Sequence, residues 1–216
     1  MSPIMQTEGA RPSRPAEAGL WQRFAPASKV ILMFFAFSFV GWAYEMLNDA
    51  IVQGGWHWRA ALVGPWCPMY GIGGLLICWV CKPFGPERRS PGRKGALAAI
   101  GRVLVSAAII ALLVSVVELA ASYACEALLG FMPWDYSTSW GNFEGRWAPE
   151  FTLRFVIGGL VFLYALEPLI AMFVQRFEAA AGILAISLVA MLCIDCVLEF
   201  SGVWGQSIPR GEVFVQ

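Results

Sequence analysis

Five apolar stretches, each close to twenty residues long, constrain the fold more than any other feature of this sequence. A helix needs about 20 mostly apolar residues to cross ~30 Å of hydrocarbon. The stretches cover residues 30–50, 62–80, 103–124, 153–174 and 180–200. The sequence therefore predicts an all-α polytopic membrane protein with five transmembrane helices.

The composition indicates the same class of protein. Only 14% of the 216 residues are charged, 58% are hydrophobic, and the mean hydropathy is +0.64. A soluble domain carries about 25% charged residues, so this chain has too little polar surface for a water-soluble fold. Because the formal net charge is zero, no basic surface is left over to bind nucleic acid.

Polar segments mark the predicted boundaries of the membrane domain. Residues 1–28 are rich in Pro, Ala, Arg and Glu, which is typical of a disordered tail. The five-helix domain is expected at residues 29–204, followed by a short outer tail at 205–216. The linker at 82–95 holds too much Pro and Gly for a helix.

The distribution of Lys and Arg predicts the orientation, because cytoplasmic loops carry an excess of both. With the N-terminus in the cytoplasm, eleven basic residues fall on the inner side and four on the outer side. The linker at 82–95 supplies most of this bias. We therefore predict that the N-terminus is inside, that residues 1–28 are cytoplasmic, and that the C-terminus is outside.

Six cysteines raise the question of metal binding. Cys78 and Cys81 form a C-x-x-C motif, as do Cys193 and Cys196, and four thiolates can hold zinc in a soluble protein. The two motifs are predicted in opposite halves of the membrane, too far apart to share a metal. Small apolar cysteines packed between helices are favoured instead. Since His57 is the single histidine, we predict no metal site and no cofactor.

Carboxylates inside the predicted helices are the main candidates for function, because ionisable groups within a membrane are costly and commonly functional. At 1.5 Å per residue, Glu45, Glu118 and Asp195 lie at a similar depth in the outer halves of the first, third and fifth helices. Three carboxylates at one level favour a shared, outward-facing cavity, where they are either paired with a cation or protonated. The alternative is that each acid caps or joins helices through hydrogen bonds. A second acid lies nearer the outer end of each of these helices: Asp49, Glu126 and Glu199.

The second apolar stretch begins with residues that oppose helix formation. Pro65 and Pro68, with the glycines around them, are expected to break its outer half. Backbone freed inside a membrane lines a cavity or is buried in protein, so this pattern again favours an outer cavity. Close packing through small residues would explain the glycines but not the prolines.

A loop between the third and fourth stretches, residues 131–150, is long for a simple connector, and such loops are often lids or binding loops. Its tryptophans suit the headgroup level of a membrane. Arg146 is a candidate anion ligand, because a guanidinium pairs with carboxylate or phosphate in bidentate fashion. The alternative is a salt bridge from Arg146 to Asp135, Glu144 or one of the buried acids. The polar residues of this loop are Asp135, Tyr136, Ser137, Asn142 and Arg146.

Several of these motifs occur together in a fixed order: G-W-A-Y-E at 41–45, G-P-W-C-P-M-Y-G at 64–71, Glu118, and W-D-Y-S…G-N-F-E-G-R at 134–146. Their combination resembles the ABC-transporter type IV family of bacterial multi-spanning proteins, over roughly residues 34–169. The resemblance implies a permease-like role in a bacterial inner or plasma membrane. The positions that it carries over are Glu45, Pro65, Cys67, Pro68, Tyr70, Gly71, Glu118, Trp134, Asp135, Tyr136, Ser137, Asn142, Gly145 and Arg146.

We predict a membrane transport component that binds a small polar or amphipathic solute in the outward-facing cavity. The sequence holds no G-x-x-x-x-G-K-[ST] phosphate loop, so an ATPase or other membrane subunit would be a separate partner, beside membrane lipids. Two alternatives stay open: an enzyme acting on lipid headgroups or lipid-linked intermediates, and an assembly subunit without a site of its own. Transport is favoured over catalysis because no nucleophile–base–orienter set is present. The predicted substrate-binding residues are Glu45, Glu118, Asp135, Tyr136, Asn142, Arg146 and Asp195.

Overall fold

All regular secondary structure in the part of the chain that the structure describes is helical. The structure, a computed structural model, describes residues 16–52, 54–55, 62–85 and 93–201. A 3-10 turn at Lys82–Phe84 follows α2, and a π-helical segment at Phe162–Leu166 joins α4 to α5. The α-helices are α1 (Ala16–Val52), α2 (Pro68–Val80), α3 (Arg93–Leu129), α4 (Pro149–Val161), α5 (Glu167–Arg176) and α6 (Glu178–Phe200).

Four of the described helices are long and apolar enough to cross a membrane. They lie at Gly19–Val52, Gly95–Leu128, Pro149–Arg176 and Glu178–Glu199, where the third comprises α4, the π-helical segment and α5. The helix α2 has 13 residues and rises about 20 Å, which is less than the ~30 Å of a hydrocarbon core. The predicted all-α membrane architecture is therefore confirmed, with a second helix too short to span alone.

The second helix is six residues shorter than predicted, because residues 62–67 are not helical and α2 begins at Pro68. Pro65 has no N–H to donate and disfavours a helical conformation in the residue before it. Pro68 occupies the first turn of α2, where a missing N–H costs nothing. The prediction that the prolines break the first part of this stretch is confirmed; its placement on the outer side of the membrane stays a prediction.

Two helices extend well beyond their apolar stretches. α1 begins at Ala16, so the second half of the predicted disordered tail is helical, whereas residues 1–15 lie outside the described residues. α3 begins at Arg93, within the linker predicted to lack a helix. Each helix has 37 residues, about 55 Å at the α-helical rise. Hydropathy marks the lipid-embedded part of a helix and misses its polar ends. The predicted outer tail at 205–216 also lies outside the described residues.

The π-helical segment has a local cause in Pro168. Proline has no N–H to donate to the carbonyl four residues earlier, which here belongs to Tyr164. The helix widens over Phe162–Leu166 directly before this proline and then continues as α5. The predicted span 153–174 is thus one continuous helix with a wide turn.

Side-chain contacts fix the direction of the helices. α1 packs against α2, α5 and α6, whereas α3 packs mainly against α4. Hydrogen bonds from Ser106 to Tyr164 and from Ser115 to Thr152 show that α3 and α4 are antiparallel. A core cluster is formed by residues of α1, α2, α3, α4 and the π-helical segment. It contains the rings of Phe37 and Phe162, whose centroids lie 4.4 Å apart in a stacked arrangement. The first halves of α1 and α3 therefore share one end of the bundle with α5.

Candidate functional site

Glu45 is held where α1, α2 and α4 meet. Its carboxylate accepts a hydrogen bond from the hydroxyl of Tyr70 in α2. The close approach depends on Gly41, one turn before Glu45, because a Cβ there would overlap the ring of Tyr70. The Tyr70 ring lies 6.1 Å from the ring of Phe155 in α4. Gly41, Tyr70 and Phe155, from three helices, thus fix the position of this carboxylate.

Glu118 is buried in α3, with 8% of its surface exposed. Its Oε1 accepts a hydrogen bond from the Tyr136 hydroxyl at 3.3 Å, and the Tyr136 ring stacks on Phe151 at 4.0 Å. The second oxygen, Oε2, is buried and has no hydrogen-bond partner among the described residues. Burial raises the pKa of the Tyr136 phenol above its usual ~10, and the nearby Glu118 carboxylate raises it further. The phenol therefore stays protonated and can donate.

The two carboxylates belong to one group. The charge of Glu45 also raises the pKa of Tyr136, which places these side chains within electrostatic range. Phe151 and Phe155 are one turn apart on α4, and their rings lie against Tyr136 and Tyr70 respectively. The structure thus brings three predicted site residues together with Tyr70. We call Glu45, Tyr70, Glu118 and Tyr136 the carboxylate–tyrosine cluster.

Asp195 in α6 accepts hydrogen bonds from a different segment, residues 62–67. Its Oδ1 accepts the Val63 N–H at 2.9 Å, and its Oδ2 accepts the Gly64 N–H at 2.9 Å and the Trp66 indole N–H at 2.8 Å. Because residues 62–67 are not helical, these backbone donors have no helical acceptor, and the Asp195 carboxylate takes its place. The described hydrogen bonds of Asp195 are all with this segment and not with the carboxylate–tyrosine cluster.

Arg146 ties the loop at 130–148 to α3. The buried guanidinium donates to Ser122 at 3.0 Å and forms a salt bridge with Glu126. It also lies over the Tyr123 ring, 4.2 Å from its centroid. Its Nε is 3.7 Å from a Glu144 oxygen. Of the two roles predicted for Arg146, these contacts match the salt bridge, with Glu126 as an additional partner.

The predicted polar loop residues also bond within the loop. Asp135 accepts from the N–H of Ser137 at 2.8 Å and from its hydroxyl at 3.1 Å. Asn142 donates to the carbonyl of Ser137 at 3.0 Å and accepts the N–H of Gly145 at 3.1 Å. Gly145 has a φ of +69°, a conformation that favours glycine. The Trp134 indole donates to the Arg146 carbonyl at 2.9 Å. Asp135 and Asn142 therefore fix the shape of the loop.

Sequence reasoning named Glu144 as a partner of Arg146 but missed Ser122 and Glu126, and it missed the partners of Asp195. Glu118, Ser122 and Glu126 are spaced four residues apart and so lie on one face of α3. This spacing in the sequence could have indicated that one side chain contacts both Ser122 and Glu126. The donors to Asp195 left no comparable signal, because they meet it only through the packing of α6. Trp66 in particular resembled any other tryptophan near a membrane surface.

The cysteines of the first C-x-x-C motif lie in the hydrophobic core. Cys78 and Cys81 are buried and pack in a cluster with Met33 and Phe37. Within the described ranges, no group of three or more His, Cys, Asp or Glu side chains has the geometry of a metal site. His57 lies outside these ranges.

The comparison with known proteins agrees with the resemblance seen in the motifs. A family model described as "Putative ABC-transporter type IV" matches residues 32–200, which includes α2 to α6 and most of α1. No curated protein and no solved structure shows a significant match. The matched range covers both the carboxylate–tyrosine cluster and Asp195. Because the match extends over well more than half of the sequence, the chain belongs to the ABC-transporter type IV family.

Proposed function

We propose that this protein is the membrane component of a transport system and binds a small polar or amphipathic solute at the carboxylate–tyrosine cluster. The observation that carries the proposal is the buried Oε2 of Glu118, which has no hydrogen-bond partner among the described residues. A buried acceptor without a partner costs about 1–3 kcal/mol, and a donor group of a solute would remove this cost. Membership of the family supports the transport role.

The residues around the cluster favour a solute with a donor or a positive charge beside an apolar part. Glu45 and Glu118 are acceptors, and their tyrosine partners occupy only part of this acceptor capacity. The rings of Phe151 and Phe155 supply apolar faces on which a cation can also rest. A purely anionic solute would be repelled by the carboxylates.

We propose that the loop at 130–148 covers this site, with Tyr136 as the residue that connects the loop to Glu118. Arg146, Asp135 and Asn142 then hold the loop in place instead of binding the solute, because Asp135, Asn142 and the two terminal nitrogens of Arg146 have hydrogen-bond partners in the loop and α3. Asp195 acts at a distance by fixing residues 62–67, which precede Tyr70 and α2.

The proposed topology has five crossings, with the N-terminus inside and the C-terminus outside. Lys29 of α1, Lys82 after α2 and Arg102 of α3 line one cleft, so these positions share one end of the bundle. α1 ends at the opposite end of the bundle. Residues 62–67 together with α2 therefore bring the chain back to the shared end as the second crossing. The excess of Lys and Arg favours the shared end as the cytoplasmic one. Alkaline phosphatase fused to the C-terminus should be active; an inactive fusion with an active cytoplasmic reporter would contradict five crossings.

We further propose a separate ATPase subunit as the energy source. The family name supports such a partner, and the sequence has no phosphate loop of its own. Tagged protein purified from its native membranes should bring down an ATP-hydrolysing subunit. Purified protein that moves its solute alone would contradict this partnership but not the solute site.

Solute binding is tested by thermal stabilisation of the purified protein in nanodiscs with cationic, zwitterionic, anionic and neutral solutes. We expect a solute with an amine or several hydroxyls to raise the melting temperature of the wild type. Glu118→Gln and Tyr136→Phe should lose this response. Glu150→Gln, which removes an exposed carboxylate from the same end of the bundle, should keep it. A response that survives in Glu118→Gln would overturn the assignment of the site.

A further inference from the structure

A second candidate site lies at the other end of the bundle from the carboxylate–tyrosine cluster. It is a cleft of about 670 Å³ between the first half of α1, the end of α2 and the beginning of α3. Its charged lining residues are Lys29, Lys82, Arg102 and Glu167. None of these residues belongs to the proposed solute site.

The charged part of the cleft is predominantly positive. Glu167 forms a salt bridge with Lys29, and the two side chains remain 24% and 34% exposed. Lys82 is exposed in the 3-10 turn after α2, and Arg102 adds a third cation to the lining. Among the described lining residues, the cleft therefore has three cations and one carboxylate, and an anion placed beside them would meet an attractive field.

The rest of the lining is apolar and open to the surroundings of the bundle. Val30, Leu75 and Trp79 form part of this wall. Trp79 is 74% exposed and Val30 is 52% exposed, although both lie in apolar helices. An exposed tryptophan beside cations is typical of the interface between headgroups and hydrocarbon.

The back of the cleft is held in a fixed shape. The Tyr164 hydroxyl donates to the carbonyl of Phe84 at 2.8 Å and lies 3.2 Å from the Ser106 hydroxyl. These contacts connect the 3-10 turn, the π-helical segment and α3. Lys82 and Arg102 are thereby kept on the same rim, since each lies on an element that Tyr164 binds.

We propose that this cleft binds an anionic phospholipid, with the headgroup phosphate between Lys82 and Arg102 and an acyl chain along the wall of Val30, Leu75 and Trp79. Each cation near such a headgroup strengthens binding by about fivefold. The apolar wall selects a lipid over a free phosphate, because a soluble phosphate ester has nothing to place there. This inference is independent of the proposed solute site.

Native mass spectrometry of the purified full-length protein tests the proposal. Dioleoylphosphatidylglycerol is the anionic probe, dioleoylphosphatidylcholine is the neutral probe, and glycerol 3-phosphate is the soluble phosphate. We expect tighter binding of phosphatidylglycerol than of phosphatidylcholine and no displacement by millimolar glycerol 3-phosphate. Lys82→Gln should weaken phosphatidylglycerol binding about fivefold, and Lys82→Gln with Arg102→Gln about twenty-five-fold.

Arg176→Gln is the matched control, because Arg176 is an exposed cation at the end of α5 and does not line the cleft. It should leave phosphatidylglycerol binding unchanged. Circular dichroism and the melting temperature establish that each variant is folded. Equal binding of the two lipids, equal loss in Arg176→Gln, or displacement by glycerol 3-phosphate would overturn the proposal.

Discussion

Two irregular segments of this membrane protein, residues 62–67 and the loop at 130–148, lie beside buried carboxylates but differ in how they use them. Residues 62–67 direct two backbone N–H groups and an indole N–H at Asp195. The loop bonds mainly to itself and to α3, and donates to Glu118 through the Tyr136 hydroxyl. Asp195 therefore has partners for both of its oxygens, whereas one oxygen of Glu118 has none in the described part of the chain.

This difference teaches that an acid inside a membrane helix is not by itself a functional site. The two carboxylates are similarly buried, with 5% of Asp195 and 8% of Glu118 exposed. What separates them is the number of donors that the protein itself supplies. A carboxylate with a full set of protein donors stabilises the fold, whereas one with an unused acceptor can accept a donor from a solute, as we propose for Glu118.

The largest expected effect comes from Asp195→Ala, which would leave one buried and two part-buried donors without an acceptor. At about 1–3 kcal/mol for each unsatisfied group, the free energy of unfolding should fall by at least ~3 kcal/mol. Denaturant titration in mixed micelles measures this change. Cys193→Ala, at an exposed position on the same helix, should change it little. A loss below ~1 kcal/mol for Asp195→Ala would break the comparison, because Asp195 would then not hold the segment.

The helix that follows residues 62–67 should be the next most sensitive. A Cβ at Gly74 would overlap the rings of Phe37 and Phe162, so Gly74→Ala should cost about 1–3 kcal/mol through overpacking. Gly73 precedes it in the same helix, and nothing lies within 4 Å of a Cβ there. Gly73→Ala should be neutral or stabilising by up to about 1 kcal/mol. Equal losses in the two variants would contradict the packing of α2 described here.

Arg146→Gln should loosen the loop at 130–148 by removing its contacts with Ser122, Glu126 and the Tyr123 ring. Because Glu126 is half exposed, we expect a loss of about 1–2 kcal/mol and faster proteolysis within the loop. The stability of Arg146→Lys should lie between that of the wild type and that of Arg146→Gln, since an ammonium group cannot reproduce the planar fork of a guanidinium. Arg176→Gln, which removes an exposed cation from the end of α5, serves as the control. A loop that remains protease-resistant in Arg146→Gln must be held by other contacts.

Glu118→Gln should affect stability least among these side chains, by less than about 1 kcal/mol, because it alters a single hydrogen bond. The same variant should lose the thermal response to solute. This combination distinguishes a binding residue from a structural one. If Glu118→Gln destabilised the protein as strongly as Asp195→Ala, the two segments would use their carboxylates in the same way.

The pH at which the Tyr136 phenol ionises gives a further test of the comparison between the two segments. Burial and the nearby Glu118 carboxylate raise the pKa of Tyr136, so the neutral phenol is favoured in the folded state. Its contribution to stability is fully present below the unfolded pKa of ~10 and is lost as the pH rises through the higher folded value. The difference in tyrosinate absorbance between wild type and Tyr136→Phe should therefore appear above pH 10. Ionisation below this value would contradict a buried donor.

Much of the helical pattern could be predicted from the sequence, because a bilayer demands long apolar stretches and the prolines at 65 and 68 oppose a helix. The start of α1 at Ala16 could not, since hydropathy does not register the polar end of a long helix. Pro168 was visible in the sequence, but a single proline predicts a disturbance and not its form as a π-helical turn.

For the candidate site, the sequence predicted the depth of the acids along their helices but not the side chains that they contact. Helical depth placed Glu45, Glu118 and Asp195 at a comparable level, and the first two do share a cluster in the structure. Depth says nothing about which neighbour a helix face meets, so the segment bound by Asp195 could not be foreseen. Spacing along one helix, as from Glu118 to Ser122, is readable; contacts between distant parts of the chain are not.

The hydrogen bonds of Asp195 also impose an order on biosynthesis. Gly64 and its acceptor are separated by 131 positions in the chain. At a synthesis rate of about 5–20 residues per second, the ribosome needs roughly 7–26 s to make α6 after it has made residues 62–67. During this interval the backbone donors of Val63 and Gly64 lack their final acceptor. Residues 62–67 can therefore reach their final position only after α6 has been made, which couples two distant parts of the chain during assembly.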